Sequence, residues 1–153
     1  AGYAGGAYYS YDGTMIVFRA SRFDDPAKLK EYQDLLAQGL IRPGMLEIYV
    51  MNADGSNIRQ VTSNGAANFG PYFLPDNKRI IYCSNQADPK GRNFDLFLIN
   101  SDGTGNEQIT YNETFDGFPM FSLHDGGKKF VFCSNRCNAK QGETNVFICD
   151  WGE

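Results

Sequence analysis

Four short segments recur along this chain in the same order, and equivalent residues of successive copies after the first insertion stand 48 to 50 residues apart. Asp54 and Asp102 stand 48 residues apart, as do Thr62 and Thr110, and Pro71 and Pro119, while Cys83 and Cys133 are 50 apart. Gly70-Pro71-Tyr72-Phe73-Leu74-Pro75-Asp76 answers to Gly117-Phe118-Pro119-Met120-Phe121-Ser122-Leu123, with an earlier copy at Gly5-Gly6-Ala7-Tyr8-Tyr9. Arg79-Ile80-Ile81-Tyr82-Cys83-Ser84-Asn85 answers to Lys129-Phe130-Val131-Phe132-Cys133-Ser134-Asn135, and the first copy is Met15 to Ser21. The third segment is Glu47 to Gly55, repeated at Asp95 to Gly103 and again at Asn145 to Asp150. The fourth, Arg59-Gln60-Val61-Thr62, returns once as Glu107-Gln108-Ile109-Thr110.

A period of 40–50 residues with four strand-like pieces per repeat is the pattern of a β-propeller blade. Ile80-Ile81-Tyr82-Cys83 and Leu96-Phe97-Leu98-Ile99 are unbroken apolar runs, as strands sandwiched between two neighbouring sheets require. The fourth segment is shorter and more polar, which suits an outer edge strand. The 12 Phe, 9 Tyr and 17 Gly supply strand formers and turns. The expected fold is therefore all-β: four-stranded antiparallel blades, two complete and most of a third, with one inserted α-helix. The blades fall at 4–62, with a helical insertion at 24–44, then 69–110, then an incomplete blade at 117–153. Propellers close into rings of about four to eight blades. The chain thus reads as the C-terminal half of a larger propeller, or as a half that assembles with another copy.

Within the insertion, Asp25-Pro26 reads as an N-cap followed by proline at the first helical position. Leu29, Tyr32, Leu35, Leu36 and Leu40 form one apolar stripe, Gly39 caps the end and Pro43 prevents continuation. This helix either packs its stripe on the propeller surface or serves as a lid or partner-binding element. Asp54-Gly55-Ser56 and Asp102-Gly103-Thr104 read as tight turns rather than calcium loops, because no second acidic ligand and no closing Glu follow.

The segments resemble the repeats of TolB-like propellers, whose blades run P-x-F-S-P-D-G-K-x-I-x-F-x-S, then D-I-Y-V-x-N-x-D-G-S, then L-T. The resemblance covers the chain except residues 24–44. It departs at Asn77, which stands in place of Gly, and at Ser122 to Gly126, which lacks the Pro and carries an extra residue. It implies a six- or seven-bladed ring of bacterial periplasmic or secreted type, with a role in protein–protein contact or beside a partner domain such as a peptidase.

Other classes of function fit poorly. Fourteen basic and 18 acidic residues give a net charge of −4 without a basic stripe, so nucleic acid is not an expected partner. No run approaches the length of a membrane span. The lone histidine, His124, lies in a turn between two strands and reads as exposed turn filler, and neither a G-x-S-x-G elbow nor a phosphate loop occurs. The expectation is a non-catalytic module without cofactor or metal that binds a protein or peptide, its remaining propeller blades or a second copy of itself. The alternatives are a propeller that gates a hydrolase domain lying outside this chain, and a purely structural subunit. Cys83 and Cys133 occupy equivalent repeat positions and read as small buried apolar residues. Binding is expected on one rim, where the loops joining second to third strands meet those joining one blade to the next. That rim carries Arg22, Asn64, Asn68, Asn85, Asp88, Arg92, Asp116, Asn135 and Arg136.

Overall fold

The computed structural model describes residues 2–40, 46–137, 139–140 and 142–152. Three antiparallel sheets follow one another along the chain. The first contains β1 (Ala4–Tyr9), β2 (Met15–Ala20), β3 (Glu47–Asn52) and β4 (Arg59–Gln60), in that spatial order. The second repeats it with β5 (Asn68–Phe73), β6 (Arg79–Ser84), β7 (Asp95–Asn100) and β8 (Glu107–Gln108). The third has β9 (Asp116–Phe121), β10 (Lys129–Ser134) and β11 (Asn145–Asp150), which leaves β11 at the sheet edge among the described residues. These are the two complete blades and the partial third expected from the repeat, and the fold is that of propeller blades.

Registers match from blade to blade. Val17 faces Val50, Ile81 faces Leu98 and Val131 faces Ile148 in the same place of each sheet. One apolar cluster joins the first two blades through Val17, Ile48, Val50, Phe73, Ile80, Tyr82 and Phe97. A second joins blades two and three through Tyr72, Ile81, Cys83, Leu96, Leu98, Phe121, Phe130 and Phe132. Both faces of the middle blade are thereby covered, which is why the charged and amide-bearing residues of β6 and β7, with Ser84, stand only at the strand ends. The corresponding outward face of the last blade is open: Val146 and Ile148 are 70% and 69% exposed.

The turns obey the local chemistry anticipated for them. Gly55 and Gly103 sit at φ of 86° and 92°, and Asp54 and Asp102 accept the backbone N–H of Ser56 and Thr104, each at 2.9 Å. Each inner strand is broken by a bulge, and the residue there takes a left-handed φ: Gly6 at 61°, Gly70 at 60° and Phe118 at 55°.

The helix α1 spans Pro26–Ala37, with Asp25 capping it through Ala27 N–H at 2.8 Å. Its end is a Schellman turn in which Gly39, at φ 72°, donates to Leu36 and Leu40 donates to Leu35. Pro43 lies outside the described residues. No residue of the helix is buried, and Leu36 and Leu40 are exposed, so the stripe is only partly packed. Tyr32 meets Phe23 at a ring separation of 5.2 Å.

Candidate functional rim

The rim residues sort by what their side chains touch. At the junction of blades one and two, Asn68 begins β5 and is fully buried. Its Nδ2 donates to Leu46 O at 2.9 Å, Asn64 Oδ1 at 2.8 Å and Glu47 Oε2 at 3.0 Å, while its Oδ1 accepts from Ser84 Oγ at 2.6 Å. Asn64 also donates to Gln86 at 2.8 Å, and Asn85 Oδ1 accepts from Ala67 N–H at 2.9 Å. Asn64, Asn68 and Asn85 are therefore brought together, and they form a clasp between blades.

The same positions recur between blades two and three with different chemistry. Asp116 replaces Asn68, Ser134 replaces Ser84 and Arg136 replaces Gln86. Arg136 donates to buried Asp116 Oδ2 at 2.5 Å and to Ser134 Oγ at 3.0 Å, and its guanidinium lies over Phe132 at 4.9 Å. Asn135 accepts from Thr144 Oγ1 at 2.7 Å. Asp95 stands where Glu47 stands in the first clasp, and burial, reinforced by the nearby Asp116 charge, pushes its carboxyl above the usual range. Asp116 Oδ1, Asn93 Oδ1 and Asn112 Nδ2 are buried without a hydrogen-bond partner among the described residues.

Blade one lacks such a clasp, because Ala4 and Ala20 occupy the two key positions. Arg22, the counterpart of Arg136, is exposed and lies over the Tyr49 ring at 5.2 Å. Beside it a groove of about 320 Å³ runs between the start of α1 and the blade, lined by Arg22, Phe23, Asp24, Asp25, Lys28, Glu47, Tyr49, Gln60 and Gly65. Its walls carry both signs of charge and two aromatic rings. Asp88 and Arg92 lie on the β6–β7 loop, exposed to solvent and outside both clasps. The Asp88 carboxylate lies against Gly91, in the space that a side chain at position 91 would need.

Sequence reasoning passed over a group of phenylalanines near this rim. Phe69, Phe94, Phe115 and Phe118 form a chain of ring contacts between 4.9 and 6.4 Å, and Phe118 is 49% exposed. The signal was present: Phe118 holds the bulge position that is Gly6 and Gly70 in the other blades. A left-handed φ at an exposed aromatic costs conformational energy that a glycine avoids.

His124 is exposed in the β9–β10 turn, at the opposite rim. Among the described residues no three His, Cys, Asp or Glu side chains gather as metal ligands would. Cys83 is buried, donates to Phe69 O at 3.1 Å, and its thiol is pushed up to about 12 by burial. No helix of the described residues is long and apolar enough to cross a membrane.

No family model matches the chain. Over 128 residues it is 28% identical to the Tol-Pal system protein TolB of Nitratidesulfovibrio vulgaris, covering 84% of this chain and 23% of that protein. A structure described as a TolB from Agrobacterium tumefaciens superposes with a TM-score of 0.67 at 22% identity, over 98% of this chain and 46% of the other. A puromycin-hydrolysing peptidase of Mycobacterium tuberculosis superposes at 0.62 and 13% identity, over 97% of this chain and 20% of its own. The chain thus spans under a quarter of the curated relative that it matches and about half of the first of these structures.

Proposed function

We propose, from the premise that this chain is a run of TolB-like β-propeller blades, that it is a non-catalytic module binding a protein or peptide on the rim that bears α1. The observation that carries this reading is the helix itself. Twelve residues with an apolar stripe are held at the rim with none of them buried, beside a groove offering Arg22, Lys28, Tyr49 and Phe23. An amphipathic element that is not used to build the core is available to a partner. The exposed face at Val146 and Ile148 supports a second contact, with further propeller blades, because the equivalent Leu96 and Leu98 are covered by blade three. A periplasmic or secreted location is proposed on the family resemblance alone.

Display selection of peptides on the immobilised chain tests the rim reading. Selected peptides should lose at least tenfold in affinity against Leu36→Asp and Arg22→Ala variants, the loss expected when about 1.4 kcal/mol of contact energy goes. Peptides that bind both variants as well as the parent chain would sink it. A second reading, a propeller that gates a peptidase lying outside this chain, draws on the likeness to the peptidase's propeller. An attached hydrolase domain in the full gene product would favour it.

A further inference from the structure

The loop that joins β4 to β5 contains Asn64-Gly65, the one Asn-Gly pair in the chain. Both residues are exposed, and Gly65 sits at φ 67° with no neighbouring atom within 4 Å of where a side chain would stand. The peptide nitrogen after an asparagine can attack the side-chain carbonyl and close a five-membered imide, and a glycine leaves that approach unhindered. The first clasp surrounds this pair with the groups that such an attack needs.

Glu47 Oε1 accepts the Gly65 N–H at 3.0 Å, within the reach of a base that takes that proton. Its other oxygen accepts from Thr62 Oγ1 at 2.5 Å and Asn68 Nδ2 at 3.0 Å, which fixes the carboxylate in place. Asn64 Oδ1 accepts from Ala66 N–H at 3.1 Å and from Asn68 Nδ2 at 2.8 Å. Those two donors stabilise negative charge that grows on this oxygen during attack. The second clasp lacks the base at that place. Its counterpart Asn112 precedes Glu113, and the shorter Asp95 accepts from the N–H of Asn112 itself, at 3.3 Å. A residue's own nitrogen cannot close the five-membered ring on its own side chain.

We infer that Asn64 is a self-modification site, at which the folded chain converts the asparagine to aspartate and isoaspartate with Glu47 as the base. Glu47 takes the Gly65 amide proton as that nitrogen bonds to Asn64 Cγ. The Cγ–Nδ2 bond then breaks, and Nδ2 leaves as ammonia with the proton returned by Glu47. Solvent water adds to one or other carbonyl of the imide and breaks a ring C–N bond, leaving a carboxylate. The change reaches the clasp between blades one and two. Asn64 Nδ2 donates to Gln86 at 2.8 Å and to Asn68 Oδ1 at 3.2 Å, whereas the product carboxylate can only accept and stands beside Glu47. Conversion therefore loosens the contact between the two blades. This inference does not rest on the reading of the helix-bearing rim.

The test is timed incubation of the purified 153-residue chain in neutral buffer, folded and in urea, followed by digestion and mass spectrometry that separates asparagine, aspartate and isoaspartate. Asn64 should convert faster in the folded chain than in urea, and about tenfold faster than Asn112 in the same sample. Glu47→Gln should slow conversion at Asn64 about tenfold in the folded chain and leave the rate in urea unchanged. The comparison of folded with unfolded parent chain needs no variant, so it decides the matter even where Glu47→Gln fails to fold. Asn64→Asp, which installs one product, should lower the thermal midpoint by about 3 °C. Three results would each overturn the inference: intact Asn64 in the folded chain, conversion in urea as fast as in the fold, or a folded Glu47→Gln chain that converts at the parent rate. An Asn64→Asp midpoint equal to the parent's would overturn the link to the clasp.

Discussion

Arg136 reaches across the rim of blade three to Asp116, its Nη2 lying 2.5 Å from an acid that is wholly buried at the head of the inner strand. The guanidinium is one-third exposed and sandwiched near Phe132 and Phe147, so one side chain serves both a charge and a ring stack. Removing the cation leaves a buried carboxylate with no counter-charge. Arg136→Ala should therefore destabilise the chain by about 3 kcal/mol, read from urea unfolding. Arg136→Lys should recover only part of this, because an ammonium cannot reproduce the fork that also reaches Ser134. Loss below about 0.5 kcal/mol for the alanine variant would show the pair to be a surface contact in effect.

Phe118 and Gly70 occupy the same bulge in successive blades, at φ of 55° and 60°. Phe118→Gly should change stability by no more than about 1 kcal/mol, since relief of a left-handed backbone offsets lost ring contacts. Phe118→Val should be worse than the glycine variant by at least about 1 kcal/mol, because a β-branched residue tolerates that φ poorly. Thermal midpoints of the two variants decide the order, and a valine variant equal to glycine would remove the argument from strain.

Phe73 has no exposed surface and packs in the cluster between blades one and two. Phe73→Ala should cost about 3–5 kcal/mol, enough to unfold a marginal domain. Phe73→Leu should cost far less, by keeping most of the volume. Comparable losses for both would mean that the first two blades do not share a rigid core.

The turn aspartates make stability depend on acid. Hydrogen bonds from Ser10, Ser56, Thr104 and Ser122 hold Asp12, Asp54, Asp102 and Asp125 below the ordinary carboxylate value. Their ionised forms are thus favoured by folding. That contribution is complete above the unfolded value of about 4 and is lost as pH falls through the lower folded values. Asp95 works in the opposite sense: its raised carboxyl makes ionisation a cost, which appears as pH rises through its folded value. With Asp76 also held low, five carboxylates outnumber one, so the melting temperature should fall between pH 5 and pH 3. Replacing all five by Asn should flatten that fall, and an unchanged slope would locate acid sensitivity elsewhere.

The chain alone should hydrolyse neither esters nor peptides, because exposed His124 sits in a turn at the rim away from the clasps. Turnover of generic substrates by the purified chain, abolished by His124→Ala, would reverse the proposal of a non-catalytic module.

What the sequence determined by itself was the blade. Period, strand order, turn positions and the helix from Pro26 were legible because each depends on local chemistry: alternation, Asp-Gly φ preference, and a cap followed by proline. It also marked the rim, since loops between given strands must emerge on a given side. Tertiary structure alone decided what the rim residues do. Asn68 and Asp116 both read as polar loop residues, yet they enter the strands and are buried, because blade packing brings the preceding third strand across them. Asp88 and Arg92, of the same residue class, stay exposed on a loop that no described strand crosses. A one-dimensional pattern records which residues repeat. Which of them lies beneath a neighbouring sheet depends on contacts between residues far apart in the chain, and a side chain's burial follows from those contacts.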